Sequence, residues 1–315
     1  MSKIAFIFPG QGSQHIGMGK EITETYEKAR TIFQQANETL GYDLERICFE
    51  GPEEDLKLTS NTQPALVTTS IALYEVAKKT LPQPDFVAGH SLGEYAALVA
   101  AGVLSFEDAV YAVHKRGEYM NEAVPFGQGA MSAVMGTDRK IIEEVCESVT
   151  SLGMSVQIAN YNCPGQIVIS GTVEGVEKAT ELLKEKGTKR VISLPVSGPF
   201  HSELMKPASD KLAPVLEQLT FSNATVPVVT NVTAQAVTKG SDIQEGLLKQ
   251  VYSSVLWEDS VRYMIEQGVT IFIEIGSGKV LAGLLKKIDR SVTVYNVFDS
   301  VSLQETIEKM EETTC

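Results

Sequence analysis

Segments with strand-like hydrophobic patterns alternate with segments of helical periodicity through most of the chain. The clearest are a strand over Lys3 to Phe8, a helix over Gln63 to Lys79, a strand over Asp85 to Ala88, a strand over Val269 to Ile275 and a helix over Lys279 to Lys287. Such alternation is typical of a parallel sheet with helices packed on its faces. The early and late parts of the chain therefore predict one large α/β domain.

The middle of the chain has a different order of elements. Its pattern predicts strand, helix, strand, strand, helix and strand over Ala130 to Met135, Asp138 to Val149, Ser155 to Asn160, Gln166 to Ser170, Val173 to Lys186 and Arg190 to Leu194. That order is the ferredoxin-like α+β unit. Because Gly127-Gln128-Gly129 and Pro195 to Pro199 indicate hinges, we predict a small ferredoxin-like domain at 127–196, inserted into a large domain of 1–126 and 197–315. The cleft between them is the expected site.

The composition is typical of a compact enzyme, with 43% hydrophobic and 21% charged residues. The longest apolar run, Tyr95 to Leu104, is too short to cross a bilayer, and Met1 to Gly10 lacks the features of a signal peptide. We therefore expect a cytoplasmic protein that does not bind membranes. A formal net charge of −13 argues against nonspecific nucleic-acid binding, and an acidic partner would need a locally basic patch.

The cysteines do not indicate a metal site or a disulfide framework. They form no C-x-x-C pair, and no histidine lies near any of them at metal-ligand spacing. We expect reduced thiols at Cys48, Cys146, Cys163 and Cys315.

A candidate nucleophile lies in Gly89-His90-Ser91-Leu92-Gly93, between the strand Asp85 to Ala88 and the helical Leu92 to Ala101. In a nucleophile elbow, glycines permit a strained turn that holds the serine hydroxyl out at a helix N-terminus. Because this context accompanies the motif, the pattern favours a reactive Ser91 over a structural turn. The large domain is therefore expected to be α/β-hydrolase-like.

A serine nucleophile needs a base, and the chain has four histidines. His90 should point away from its neighbour Ser91, His114 lies on a polar helical face, and His15 could at best line the cleft. His201 lies in a turn, Ser197 to Ser202, that leads into a helical segment, so a rigid loop would present it to the cleft. The alternative is a surface histidine whose hydrogen bonds are satisfied and which has no catalytic role. The residues alone do not decide between a catalytic base and such a surface histidine.

No acidic third member follows a strand. Asp138 lies in the insertion, and Asp210, Asp242 and Asp259 lie in helical, solvated patterns. We therefore expect a Ser-His dyad that neutral acceptors orient. The missing acid counts against an ordinary hydrolase with the order serine, acid, histidine.

The turn Gly10-Gln11-Gly12-Ser13-Gln14 follows the first predicted strand. Its backbone N–H groups would help form an oxyanion hole together with the N–H of Leu92, the residue after the nucleophile. A dinucleotide-binding loop is the alternative, but that motif would require glycine at His15.

Arg116 lies on the flank of an apolar stripe of the predicted helix Phe106 to Val124, within about 40° of Met120. A guanidinium beside buried residues needs an anionic partner. The residues alone favour a structural carboxylate over a substrate carboxylate.

The chain resembles the malonyl-CoA:acyl carrier protein transacylases of fatty-acid synthesis nearly end to end. The matching stretches are Phe8 to Gln14 with Gly17-Met18-Gly19, Thr62 to Leu66, Gly89 to Tyr95, Lys115-Arg116-Gly117, Asn162 to Gln166, Gly198 to Ser202 and Phe272 to Gly276. Proline is usual in this family at the positions of Ser254 and Ser277, and these departures would loosen two loops near the cleft.

The resemblance implies a role for each matched residue. Ser91 would carry the acyl group with His201 as its base, and Arg116 would pair with the malonyl carboxylate. The implied oxyanion donors are the N–H groups of Gln11 and Leu92, the histidine-orienting carbonyl is that of Gln250, and the acyl pocket contains Phe200, Met120 and Gln63.

The resemblance also implies malonyl-CoA and an acidic, phosphopantetheinylated acyl carrier protein as substrates, with no cofactor and no metal. A basic face for that carrier would comprise Lys279, Lys286, Lys287 and Arg290 on the predicted last helix and its exit. A solvated helix end is the alternative explanation of these charges. A trans-acting acyltransferase of a polyketide pathway and a thioester hydrolase remain the alternative functions.

Overall fold

The computed structural model describes residues 3–125, 127–196 and 198–314. The predicted domain boundaries, 126/127 and 196/197, each include a residue outside these ranges, and Cys315 also lies outside them. The domain limits therefore stay predictions.

The described strands range from two to eight residues in length. In chain order they are β1 (Lys3–Phe8), β2 (Phe86–Gly89), β3 (Gly129–Met135), β4 (Val156–Cys163), β5 (Gln166–Thr172), β6 (Arg190–Ser193), β7 (Val228–Val229), β8 (Ala236–Val237), β9 (Val269–Ile275) and β10 (Thr293–Val297).

Helices connect most of these strands. They are α1 (Lys20–Thr25), α2 (Glu27–Leu40), α3 (Leu44–Glu50), α4 (Glu53–Lys57), α5 (Thr59–Ala77), α6 (Gly93–Ala100), α7 (Phe106–Glu122), α8 (Arg139–Ser151), α9 (Val173–Glu185), α10 (Lys206–Glu217), α11 (Gly240–Gln250), α12 (Trp257–Glu266), α13 (Val280–Ile288) and α14 (Ser300–Thr314). A short 3-10 helix, Glu203–Met205, precedes α10.

The larger sheet has the strand order β10-β9-β1-β2-β7-β8. All neighbouring pairs are parallel except β7 and β8, which are antiparallel. Strands β1 and β9 are buried along nearly their whole length because helices cover both faces of the sheet. The predicted parallel α/β sheet is confirmed, and the predicted strands Lys3 to Phe8 and Val269 to Ile275 match β1 and β9.

The long helix α5 is buried over most of its surface and packs against α7. A helix that is apolar around most of its circumference belongs inside a protein rather than on its surface. This packing fixes α7, and with it Arg116, beside the carboxyl ends of β1 and β2. Pro64 lies inside α5.

The second sheet is antiparallel, with the strand order β4-β5-β3-β6. Helices α8 and α9 pack on it around a separate core that includes Val134, Ile142, Ile169 and Leu183. The separate antiparallel sheet predicted for the middle of the chain is therefore present.

The two sheets meet where β4 runs beside the segment that follows α11. The N–H of Tyr161 donates to the carbonyl of Val255 at 3.0 Å, and the N–H of Val255 donates to the carbonyl of Ala159 at 2.8 Å. This short parallel bridge joins the end of β4 to the segment between α11 and α12.

Candidate active site

The turn at Ser91 joins β2 to α6 in a strained conformation. Ser91 has a φ of 52°, in the left-handed region that residues with a side chain rarely adopt. A Cβ added to Gly89 would overlap the carbonyl of Gly93, and one added to Gly93 would overlap the carbonyl of Phe8. The two glycines therefore allow the close approach that holds the Ser91 hydroxyl above the sheet.

The Ser91 hydroxyl lies beside His201. The distance from Ser91 Oγ to His201 Nε2 is 2.7 Å, and the distance from His201 Nδ1 to the main-chain oxygen of Gln250 is 2.8 Å. Because a carbonyl oxygen only accepts hydrogen bonds, Nδ1 carries the proton and Nε2 presents a lone pair to Ser91. His201 has a φ of 57°, so a second strained residue completes the pair.

The environment keeps His201 neutral. Burial, together with the nearby Arg116 cation, lowers the pKa of His201 to about 3. A neutral imidazole with a free Nε2 is the form that a general base requires.

Arg116 is buried, with 1% of its surface exposed, and it contacts only neutral groups. One Nη donates to Gln63 Oε1 at 2.7 Å, and the other donates to Gln250 Oε1 at 3.0 Å and to Ser91 Oγ at 3.1 Å. No carboxylate contacts the guanidinium within the described ranges. Burial lowers the pKa of Arg116, but an arginine stays cationic in a protein. The structural carboxylate that the residues alone favoured therefore makes no direct ion pair with Arg116 in this part of the chain, although the charge of the buried Glu94 acts on it from a distance.

A cavity of about 280 Å³ opens onto Ser91, His201 and Arg116. Of the residues predicted for the acyl pocket and the oxyanion hole, Gln11, Met120 and Phe200 line this cavity. Gln63 does not line it, because its amide lies behind Arg116 and its Nε2 contacts the sulfur of Met120 at 3.7 Å.

The two residues predicted as oxyanion donors lie at two turns. Gln11 lies in the turn after β1, and Leu92 is the N-cap residue of α6. In the part of the chain that the structure describes, neither of their N–H groups donates a hydrogen bond within the protein. Both groups therefore have the donor capacity that an oxyanion hole needs.

A buried polar network behind Ser91 escaped the sequence analysis. Asn231 Oδ1 accepts the Ser91 N–H at 2.7 Å, and Gln250 Nε2 donates to the Ser91 carbonyl at 3.0 Å. Both partners bond to Glu94 Oε2: the N–H of Asn231 at 2.9 Å and Gln250 Nε2 at 3.0 Å. Glu94 follows the serine motif directly, but its role depends on residues far away in the sequence.

The other histidines make contacts away from the nucleophile. Nε2 of His90 lies 2.8 Å from Asn162 Oδ1, Nδ1 of His114 lies 2.9 Å from the carbonyl of Ser60, and Nδ1 of His15 lies 3.0 Å from Ser277 Oγ. His90 also lines the cavity. Only His201 is placed to take the Ser91 proton.

Ser254 and Ser277 stand where the family usually has proline, and both form side-chain hydrogen bonds that a proline could not make. Ser254 Oγ donates to the carbonyl of Ile158 at 2.5 Å, and Ser277 Oγ donates to the carbonyl of Ser13 at 2.7 Å. Each hydroxyl therefore links its loop to a neighbouring segment.

The predicted basic face is less regular than the sequence pattern indicated. Lys279, Lys286, Lys287 and Arg290 are all exposed, but Lys279 precedes α13 and its Nζ lies 4.6 Å from the ring centre of Phe298. Arg290 follows the end of α13, and α14 comes after it, so the prediction of a last helix at this place was wrong. Lys287 Nζ donates to Gln166 Oε1 at 3.2 Å, which places the face beside the turn between β4 and β5.

Cys48, Cys146 and Cys163 are free thiols. Among the described residues there is no cluster of histidine, cysteine, aspartate or glutamate that would hold a metal ion. Within the same ranges, no helix has the length and apolar character needed to cross a membrane.

A family model described as an acyl transferase domain matches residues 5–310. The chain belongs to this acyltransferase family. It is 57% identical over 312 residues to a malonyl CoA-acyl carrier protein transacylase from Bacillus subtilis (strain 168), covering 99% of this chain and 98% of that protein. The family resemblance inferred from the sequence is confirmed.

Solved structures of acyltransferases share this fold. The malonyl CoA-acyl carrier protein transacylase from Coxiella burnetii superposes with a TM-score of 0.95 at 42% identity, covering 98% of each chain. A malonyl-transacylase in complex with its type II PKS acyl-carrier protein superposes with a TM-score of 0.95 at 43% identity, covering 98% of this chain and 100% of that one.

Proposed function

We propose that this acyltransferase moves a malonyl group from malonyl-CoA to the phosphopantetheine thiol of an acyl carrier protein through an ester on Ser91. The observation that carries the proposal is Arg116, a buried cation 3.1 Å from Ser91 Oγ that contacts only neutral groups of the described chain. A substrate carboxylate at the nucleophile would supply the missing counter-charge. The relatives named above, which transfer malonyl groups, support the same substrate.

The first half-reaction forms the acyl-enzyme. His201 Nε2 takes the Ser91 proton while its Nδ1–H stays on the carbonyl of Gln250. Ser91 Oγ attacks the thioester carbon, and the N–H groups of Gln11 and Leu92 stabilise the developing oxyanion. The carbon–sulfur bond then breaks, and coenzyme A leaves as the thiol with the proton from His201.

The second half-reaction reverses these steps with a new thiol. The phosphopantetheine thiol gives its proton to His201 and attacks the malonyl ester. Ser91 then recovers its proton as the ester bond breaks, so the cycle is ping-pong. Coenzyme A is a substrate in this scheme, and we propose that the reaction needs no cofactor or metal.

Arg116, Phe200 and Met120 would select the acyl group. An uncharged acyl group leaves the buried guanidinium without an anionic partner, which is costly. Phe200 is buried at the edge of the cavity, and its ring would clash with an α-methyl branch.

We also propose the finer description of the fold and the setting of the reaction. The order β3-α8-β4-β5-α9-β6 with the sheet order β4-β5-β3-β6 supports a ferredoxin-like unit, and the elbow at Ser91 supports an α/β-hydrolase-like large domain. We place the limits of the small domain at 127–196 and the reaction in the cytoplasm. The basic residues Lys286, Lys287 and Arg290 would contact the acidic carrier.

Intact-mass measurement tests the mechanism. The protein incubated with malonyl-CoA should gain one malonyl group, and addition of a phosphopantetheinylated carrier should remove it. Ser91→Ala should gain none. Absence of the adduct from the unmodified protein, or its presence in Ser91→Ala, would refute the malonyl-serine intermediate.

The same experiment separates the alternative functions. Release of free malonate from the adduct at the same rate with and without carrier would identify a thioester hydrolase. The structural match to a transacylase bound to a type II PKS acyl-carrier protein keeps a polyketide pathway as a second candidate. Comparison of a fatty-acid carrier and a polyketide carrier as acceptors distinguishes the two pathways.

A further inference from the structure

We propose that Glu94 is a positioning residue for acyl transfer, which holds the main chain of Ser91 in its reactive geometry through Asn231 and the side chain of Gln250. This inference rests on the proposed function of Ser91 as the nucleophile. Glu94 would act from behind the turn, without contact to the substrate.

The contacts form a closed arrangement around one carboxylate oxygen. Glu94 Oε2 accepts from the Asn231 N–H at 2.9 Å and from Gln250 Nε2 at 3.0 Å. Asn231 Oδ1 in turn accepts the Ser91 N–H at 2.7 Å, and Gln250 Nε2 donates to the Ser91 carbonyl at 3.0 Å. Asn231 and Gln250, which both bond to Glu94, therefore bond to the N–H and the carbonyl of Ser91.

The strain at Ser91 explains why such support is needed. A residue with a φ of 52° costs free energy, and it persists only where its surroundings fix it. The neighbouring glycines permit this conformation but do not enforce it. The hydrogen bonds from Asn231 and Gln250 to the N–H and the carbonyl of Ser91 help to enforce it. Glu94 accepts from the main-chain N–H of Asn231 and from the side chain of Gln250, so it fixes both residues that make these bonds.

Gln250 connects this support to the rest of the site. Its side-chain oxygen accepts from Arg116 Nη at 3.0 Å, and its main-chain oxygen receives His201 Nδ1 at 2.8 Å. Arg116 has a second anchor in Gln63, at 2.7 Å. A displaced Gln250 side chain therefore disturbs Ser91 more than it disturbs the carboxylate-binding cation.

Burial of an acidic group at this place is costly, which argues that it has a purpose. Glu94 is 1% exposed, and burial raises its pKa to about 7 in spite of these hydrogen bonds. An apolar residue of similar volume would fill the space at lower cost, but it would leave Gln250 Nε2 and the Asn231 N–H with one acceptor fewer.

Glu274 provides a matched control, because it is also a buried carboxylate at the carboxyl end of the large sheet. Its oxygens accept from the N–H groups of Leu281 and Ala282 and from Asn296 Nδ2. These contacts cap α13 and do not reach Ser91. Loss of Glu274 should therefore lower stability without changing the chemistry.

The test compares three variants by quenched-flow malonylation of Ser91 and by thermal melting. Glu94→Asp keeps the charge but withdraws the carboxylate by roughly 1.5 Å. Its malonylation rate constant at saturating malonyl-CoA should fall about 10-fold to 100-fold, the worth of one or two lost hydrogen bonds to a charged group. The half-saturating malonyl-CoA concentration should stay within about threefold, because Gln63 still holds Arg116.

Glu94→Gln keeps an acceptor oxygen at the position of Oε2 and removes the charge. Its rate constant should stay within about fivefold of the unmodified protein, since both donors keep their acceptor. Glu274→Gln should melt at a lower temperature and malonylate at the unmodified rate.

Equal rate constants for Glu94→Asp and the unmodified protein would overturn the inference, as would an equal loss in Glu274→Gln. If Glu94→Asp does not fold, Asn231→Ala replaces it, because it removes the acceptor of the Ser91 N–H and should lose rate by a similar factor. An unchanged rate in Asn231→Ala would then overturn the inference. Failure of the unmodified protein to form the adduct would instead refute the proposed function.

Discussion

The turn after β2 and the turn after β9 are built from the same kinds of residue, yet only one of them presents a reactive hydroxyl. Each turn joins a buried parallel strand to a helix and contains glycines around a serine, Ser91 in one and Ser277 in the other. Each serine also has a histidine nitrogen within hydrogen-bond distance: His201 at 2.7 Å from Ser91 and His15 at 3.0 Å from Ser277.

The two turns differ in which residue takes the strained conformation. After β2 the serine itself has the positive φ, of 52°, so its hydroxyl stands above the turn. After β9 the glycines take it, with φ of 145° at Gly276 and 81° at Gly278. Ser277 is buried and its hydroxyl donates to the carbonyl of Ser13. A serine between glycines is therefore a nucleophile only where the fold strains the serine and brings a base and a cation to it.

The largest expected effect separates the two histidines. His201→Ala should lower the rate of Ser91 malonylation by about 10²-fold to 10⁴-fold, the usual worth of a general base. His15→Ala should leave that rate within about threefold, because His15 contacts a structural serine. Single-turnover mass spectrometry measures both, and a loss in His15→Ala as large as that in His201→Ala would remove the distinction between the turns.

The buried cation Arg116, 3.1 Å from Ser91 Oγ, is the second feature that defines the β2 turn. Arg116→Ala should lower malonyl transfer by about 10²-fold to 10³-fold, because the substrate carboxylate loses a buried charged partner. The ratio of acetyl to malonyl transfer should rise. Competition between malonyl-CoA and acetyl-CoA measures the ratio, with Lys115→Ala as the control on the same helix. An unchanged ratio of acetyl to malonyl transfer in Arg116→Ala would mean that Arg116 has a structural role and does not bind the malonyl carboxylate.

The two buried glutamates should affect stability in the same way with pH. Burial raises the pKa of Glu94 and of Glu274 from 4.5 to about 7. Between these values the folded state binds more protons than the unfolded state, so the stability that each group contributes is complete below pH 4.5 and is lost as the pH rises to 7. The loss is about 3 kcal/mol for each group.

Replacement by glutamine isolates this contribution. Each of Glu94→Gln and Glu274→Gln should gain stability relative to the unmodified protein as the pH rises from 4.5 to 7.5, when urea unfolding is measured at both values. The lowered pKa of His201 acts in the opposite direction, but it is common to both proteins and cancels in the difference. A difference that does not change with pH would contradict the raised pKa.

The smallest expected effect concerns the helix after the β9 turn. Replacement of Lys286, Lys287 and Arg290 by glutamate should raise the KM for an acidic carrier by about threefold to tenfold, since exposed charges contribute little each. Added salt should weaken carrier binding to the unmodified protein more than to the variant. The malonylation half-reaction should not change, and steady-state rates at several carrier concentrations check both statements. An equal KM for the carrier in the variant and the unmodified protein would mean that these charges belong to a solvated helix end and do not bind the carrier.

Much of the fold could be predicted because the strands are long and strongly patterned. The strand Val269 to Ile275 was predicted to the residue, and α13 begins one residue after its predicted start. Strand β7 is only two residues long, so its pattern is too short to detect, and the parallel pairing with β2 creates it. Asn231, which follows this strand, was missed for the same reason.

The sequence by itself determined the elements that carry chemistry: a serine at a strand-to-helix turn, a histidine in a rigid loop, an arginine on the flank of an apolar helix, and the absence of a suitable acid. These are local patterns, set by glycine spacing and periodicity. The tertiary structure alone decided which neutral groups hold Arg116 and that Glu94 supports Ser91. The hydrogen-bond partners of Glu94, Asn231 and Gln250, lie 137 and 156 residues away from it in the sequence. Hydrogen bonds over such separations depend on packing that no local pattern encodes.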